Sequence, residues 1–71
     1  MAAQPAENPN DILLIDEVAT ITRRSVGTLR WLRHRGEGPP GFKMGRRVAW
    51  RRSAVMDWIA EQERATSDSA A

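Results

Sequence analysis

The 71-residue chain has eleven Lys and Arg against nine Asp and Glu, a net charge of +2, and no cysteine. This length makes one small domain burying only ~60% of its unfolded surface, and a disulfide framework, a thiolate metal site and a membrane-spanning or secreted class drop out, leaving a cytoplasmic location as the expectation. Ten of the eleven cations fall between Arg23 and Arg52, where Glu37 is the one acid, so thirty residues carry a local charge of +9.

Residues 1–10 hold Ala, Gln, Pro, Asn and Glu with little to bury, and are expected to form a disordered leader. Residues 65–71 are equally bare and are expected to form a disordered tail, which places the fold within residues 11–64. Ile12, Leu13 and Leu14 pin the chain start to the core. From Ile15, the apolar residues Ile15, Val18, Ala19 and Ile21 recur at helical spacing, and Asp16 and Glu17 complement the positive end of the helix dipole. This first helix is expected to end near Ile21.

Residues 22–24 make a tight connection, after which Ser25 is a good N-cap. A second helix is expected from Val26 to Arg35, with Leu29 and Leu32 as its buried stripe and Gly36 as its left-handed stop. Two helices joined by a short turn, the second strongly basic, form the helix-turn-helix pattern. Residues 38–41 read Gly-Pro-Pro-Gly, which is neither helix nor central strand and must be an extended crossing. Residues 42–44 and 47–50 then read as two short strands, with Gly45-Arg46 suited to a type II′ hairpin. A basic hairpin after a helix-turn-helix is a wing. In the last helix, Val55, Trp58 and Ile59 fall at i, i+3 and i+4 and are expected to close the core, with Trp50 also in the core, Met44 packed beneath the wing and Trp31 partly buried. The fold class is therefore mainly α with a small β-hairpin: a winged helix-turn-helix in the order helix, helix, strand, strand, helix.

So large a positive charge on a short folded segment repels itself and calls for a polyanion. Nine of its ten cations are arginine, whose planar fork pairs well with phosphate and base edges. A merely solvated face would mix signs. Double-stranded DNA is the expected partner. His34, the single histidine, has neither a positioned nucleophile nor an orienting acid at any telling spacing, so it reads as an exposed helix residue and the protein as no enzyme. Nothing in the sequence signals a cofactor, a metal site or a small-molecule ligand.

The chain resembles the small MerR-type winged helix-turn-helix proteins, in particular the phage and actinobacterial excisionases (recombination directionality factors) and the related AlpA-like regulators. The likeness is carried by Asp16-Glu-Val-Ala19, by Ser25-Val-Gly-Thr-Leu29 and by Leu32-Arg-His-Arg-Gly-Glu-Gly-Pro39. It continues through Lys43-Met-Gly-Arg-Arg-Val48 and Val55-Met-Asp-Trp-Ile59. Three positions depart from the pattern: Leu14 stands where a Thr or Ser cap is usual, Arg24 where a small aliphatic is usual, and Trp31-Leu32 where an aromatic pair is common. The resemblance implies a monomer in the free state that binds DNA through its second helix and wing. It further implies an excisionase that binds side by side with further copies of itself, bends attachment-site DNA and directs a phage-type integrase toward prophage excision. When bound, such a protein is associated with the bacterial nucleoid.

The first turn of the second helix points into the major groove in this motif. Val26 and Gly27 offer no side-chain donor or acceptor, so hydrogen bonding falls to Thr28 and the neighbouring arginines. The expected DNA-binding residues of the recognition helix are Arg23, Arg24, Ser25, Thr28, Arg30, Trp31, Arg33 and Arg35. Those of the wing are Lys43, Arg46 and Arg47, where an arginine entering a narrow minor groove senses shape rather than base identity. Two other readings compete: a small transcriptional regulator with the same surface, and an adaptor that grips an acidic protein partner.

Overall fold

The computed structural model describes residues 8–70. The elements are β1 (Ile12–Leu13), α1 (Ile15–Thr22), α2 (Val26–His34), β2 (Phe42–Met44), β3 (Arg47–Arg51) and α3 (Arg52–Ala70). The helix, helix, strand, strand, helix order is as expected, with one short strand added in front. The three strands form an antiparallel sheet in the order β1-β3-β2. Leu13 pairs with Trp50 across β1 and β3, and Lys43 with Val48 across β2 and β3.

The core is built by one layer of helix against one face of this sheet. Leu13, Val18, Leu29, Trp50 and Val55 are buried together, with Ile15, Ala19, Ile21, Val48 and Ile59 packed around them. Cross-strand partners share a face, so Leu13, Val48 and Trp50 point inward as a set. The outer face carries Ile12, Phe42 and Met44, all exposed, with Ala49 buried among them. Met44 therefore packs on the outside of the hairpin and not beneath it: its register partner is Arg47, on the face opposite Trp50.

Trp50 holds the molecule together. It is 2% exposed, and its indole N–H donates to the Pro39 carbonyl at 3.0 Å, leaving no polar atom of the ring unsatisfied. The segment between α2 and β2 is wrapped on this ring: a Cβ at Gly41 would lie 2.8 Å from the indole. The Gly-Pro-Pro-Gly run is thus a lining for one side chain as well as a crossing. Trp58, expected in the core, is half-buried and outside the buried cluster. The i, i+4 pair Val55 and Ile59 faces inward and Trp50 already fills the space, which leaves Trp58 on the flank of α3.

Each helix end has its own device. Leu14 has no side-chain acceptor, and the Glu17 carboxylate takes over by accepting the Leu14 N–H at 2.8 Å, one half of a capping box. Ser25 caps α2: its hydroxyl accepts the Thr28 N–H at 3.0 Å, a contact that contributes about 1 kcal/mol. At the far end, the Glu37 N–H donates to the Leu32 carbonyl and the Gly36 N–H to that of Arg33, with Gly36 at φ 77°. That is a Schellman stop. α3 starts without a side-chain cap; the Arg52 and Ser53 N–H groups donate to the Asp11 and Pro9 carbonyls, each at 3.0 Å.

This last contact moves one expected boundary. Residues 1–7 of the expected leader lie outside the described residues, but Asn8, Pro9 and Asn10 form a turn docked on α3, closed by the Asn10 N–H donating to the Asn8 side chain at 2.8 Å. At the other end α3 continues to Ala70, through residues expected as a tail, because each added residue extends a helix already nucleated on the core. Residue 71 lies outside the described residues. No helix among the described residues is long and apolar enough to cross a membrane.

Candidate nucleic-acid interface

Between α1 and α2 the chain turns on Arg23, which sits in the left-handed region at φ 59° and ψ 34°. It is the one non-glycine residue with positive φ among the described residues, a conformation with a steric penalty of about 1 kcal/mol. The turn brings the N-terminus of α2 out into solvent, with Arg23, Arg24 and Ser25 all exposed. At the other side of the interface, Gly45 at φ 68° and Arg46 at an ordinary negative φ form the two-residue loop between the paired residues Met44 and Arg47, as a type II′ turn requires.

α2 and this hairpin share one depression. Arg30 and Arg33, one helical turn apart, form its first wall, and Arg46 and Arg47 its second; Leu14, Ile15, Val48 and Trp50 make the floor, with Asp16 at the rim. Lys43 is the register partner of Val48, so the sheet carries it on the same face. Four arginines and one acid therefore line a depression that also has apolar residues in its lining, a composition that concentrates positive potential.

The other predicted residues do not join this quartet. Arg24, Thr28 and Trp31 line a second depression with Leu32, Glu37, Trp58 and Gln62, on the α3 side of α2. Trp31 is 56% exposed, more than the partial burial expected. Leu29 faces the core, and a step of about 200° from it turns Trp31 away. Arg35, four residues on, lies with its guanidinium 4.8 Å from the Trp31 ring centroid and pairs with Glu37 at 3.3 Å. Ser25 is occupied as a cap and also donates its hydroxyl to Thr28 Oγ1 at 2.8 Å, so Thr28 keeps its own O–H to offer.

Ion pairing sorts the ten cations of the basic segment. Arg35 and Arg52 pair with Glu37 and Asp11, and Arg51 donates to the Asn10 carbonyl at 2.8 Å. The seven others, Arg23, Arg24, Arg30, Arg33, Lys43, Arg46 and Arg47, have no ion-pair partner among the described residues. The role of Glu37 was missed in the sequence, where its signal was available: a lone acid two residues from an arginine, just past a helix stop. His34 is exposed at the end of α2.

A family model described as a helix-turn-helix domain matches residues 13–63. No curated protein and no solved structure matches the chain. The family match runs from the first strand through both helices and the hairpin into α3, and so includes every residue that lines the cationic depression. The chain belongs to this helix-turn-helix family and is a small DNA-binding protein.

Proposed function

We propose that this protein is an excisionase, an architectural factor that binds attachment-site duplex DNA, bends it and directs a phage-type integrase toward excision. The observation that carries this reading is the shared depression of Arg30 and Arg33 with Arg46 and Arg47. α2 enters the major groove and the hairpin tip reaches the adjacent minor groove, so one protein straddles two grooves. In this reading binding energy is used to hold DNA in a shape, and no reacting group is called for.

Base readout is limited in this arrangement, since Val26 and Gly27 carry no hydrogen-bonding side chain and Thr28 offers a single hydroxyl donor. Sequence dependence then comes largely from groove width and deformability, reinforced by further copies on adjacent sites. With about five phosphates neutralised by the unpaired cations, log K falls against log salt with a slope of about −5. The test is a footprint and bend measurement on attachment-site DNA, with and without its integrase. A bend of the duplex together with a gain in excision supports the reading; a straight duplex, or an integrase indifferent to the protein, refutes it.

The second reading is a small AlpA-like transcriptional regulator, favoured by the exposure of Trp31, which adds apolar contact to base edges that a purely shape-reading factor does not need. It predicts an effect on a promoter in cells that hold no integrase. The adaptor reading predicts little affinity for duplex DNA at physiological salt, which a gel shift exposes directly.

A further inference from the structure

Gly27 is the second residue of α2 and exposed, and glycine is a weaker helix former than alanine. Nothing in the folded chain asks for it there. Gly36, Gly38 and Gly45 have positive φ, and a Cβ at Gly41 would collide with the Trp50 ring. Gly27 has an ordinary helical φ, and the one atom near a Cβ built on it is Ser25 Oγ at 4.0 Å, a comfortable van der Waals distance. Alanine would fit and would strengthen the helix. No contact within the described residues accounts for the missing side chain.

Its place on α2 bears on the reason. Residues three and four apart share a helix face, so Gly27 lies in line with Arg30 and Trp31, both exposed, on the side turned away from buried Leu29. Arg30 belongs to the wing-side depression and Trp31 to the α3-side one. On the helix surface Gly27 lies between these two side chains and one turn before them, so a ligand laid along α2 across both also meets Gly27. We propose that Gly27 is the point of closest approach between the α2 backbone and duplex DNA. A base-pair edge in the major groove comes against the bare helix there, with Arg30 and Trp31 as the walls on either side. A Cβ at this point holds the whole helix outward and lengthens every contact made by its neighbours. The inference deepens the DNA-binding reading and rests on it.

The experiment compares Gly27→Ala and Gly27→Val with the wild-type protein and with an Arg46→Ala, Arg47→Ala double variant. Each is assayed on a duplex that the wild-type protein has selected from a randomised pool, and on a mixed-sequence duplex. Gly27→Ala is expected to melt about 3–6 °C higher than wild type and yet to bind the selected duplex about tenfold more weakly. Gly27→Val is expected to bind more weakly again, and the mixed-sequence duplex to be less affected by either. If Gly27→Ala binds as tightly as wild type while the double variant is weakened, the close approach is wrong and the DNA-binding reading stands. A Gly27→Ala protein that loses stability along with binding also overturns it, since glycine then serves the fold. A wild-type protein that retains no duplex at all overturns both.

Discussion

The two ends of β3 carry the same side chain to opposite uses. At its start, Arg46 and Arg47 stand at the hairpin tip with no ion-pair partner among the described residues and line one depression with Arg30 and Arg33. At its end, Arg51 donates to the Asn10 carbonyl, and Arg52 pairs with Asp11 at 3.3 Å with side chains 19% and 33% exposed. Only three residues, Val48, Ala49 and Trp50, separate Arg47 from Arg51. One pair of arginines has no ion-pair partner among the described residues; the other closes the N-terminal turn onto the start of α3. Charge density alone does not distinguish them, because what a guanidinium does depends on which carbonyls and carboxylates the fold brings to it.

The comparison can be broken at its root, where both ends depend on Trp50. Trp50→Ala removes a buried ring with a satisfied indole N–H, a loss of about 3–5 kcal/mol against a total stability of only ~5–15 kcal/mol. The expected outcome is loss of the cooperative thermal transition and of DNA binding together; an unchanged melt would show that the core is centred elsewhere. Arg46→Ala with Arg47→Ala acts on one end alone. Affinity should fall about 10- to 100-fold, and the salt slope should become shallower by about 2, with the melting temperature unchanged because the tip is exposed. A gel-shift titration at several salt concentrations beside a melting curve checks both halves.

Arg52→Ala probes the opposite end and should give the mirror image. The half-exposed ion pair is worth about 1 kcal/mol after solvent screening, so the melting temperature should drop about 4–8 °C while the salt slope stays as in the wild type. A shallower slope would put Arg52 on the DNA. The smallest effect concerns Arg35, the C-cap of α2, which is already paired. Glu37→Gln frees Arg35 to meet a phosphate and should steepen the slope by about 0.9, with little change in stability for so exposed a pair. An unaltered slope would mean that Arg35 stays on the Trp31 ring whether or not Glu37 holds it.

Much of the fold was legible in advance because its signals are local. Helical spacing of Ile15, Val18 and Ile21, the cap at Ser25, the stop at Gly36 and the Gly45-Arg46 turn all act within a few residues, and each element lies close to where those signals place it. Strand β1 shows in the sequence only as an apolar start, since Ile12 and Leu13 become a strand by pairing with residues 50 and 51, far along the chain. Trp58 and Trp31 were misjudged for a related reason. A helical repeat tells which residues share a face but not how far the opposing surface reaches, and Trp50 had already taken the space. The candidate interface was legible as a list of cations and not as a place. The division of that list between two sides of α2, and the withdrawal of Arg35 by Glu37, depend on how α2 is rotated against the hairpin.

By itself, then, the sequence determined that an arginine-rich helix-turn-helix with a short hairpin would form and that its surplus charge would need an anionic partner. Those properties follow from backbone preferences and composition, which act at short range or add up regardless of arrangement. Only the tertiary structure decided which arginines remain unpaired, which tryptophan is the core, and that α2 and the hairpin tip line one depression. Each of these is a matter of distance between residues remote in the chain, and distance is set by the packing of α1, α3 and the sheet around Trp50.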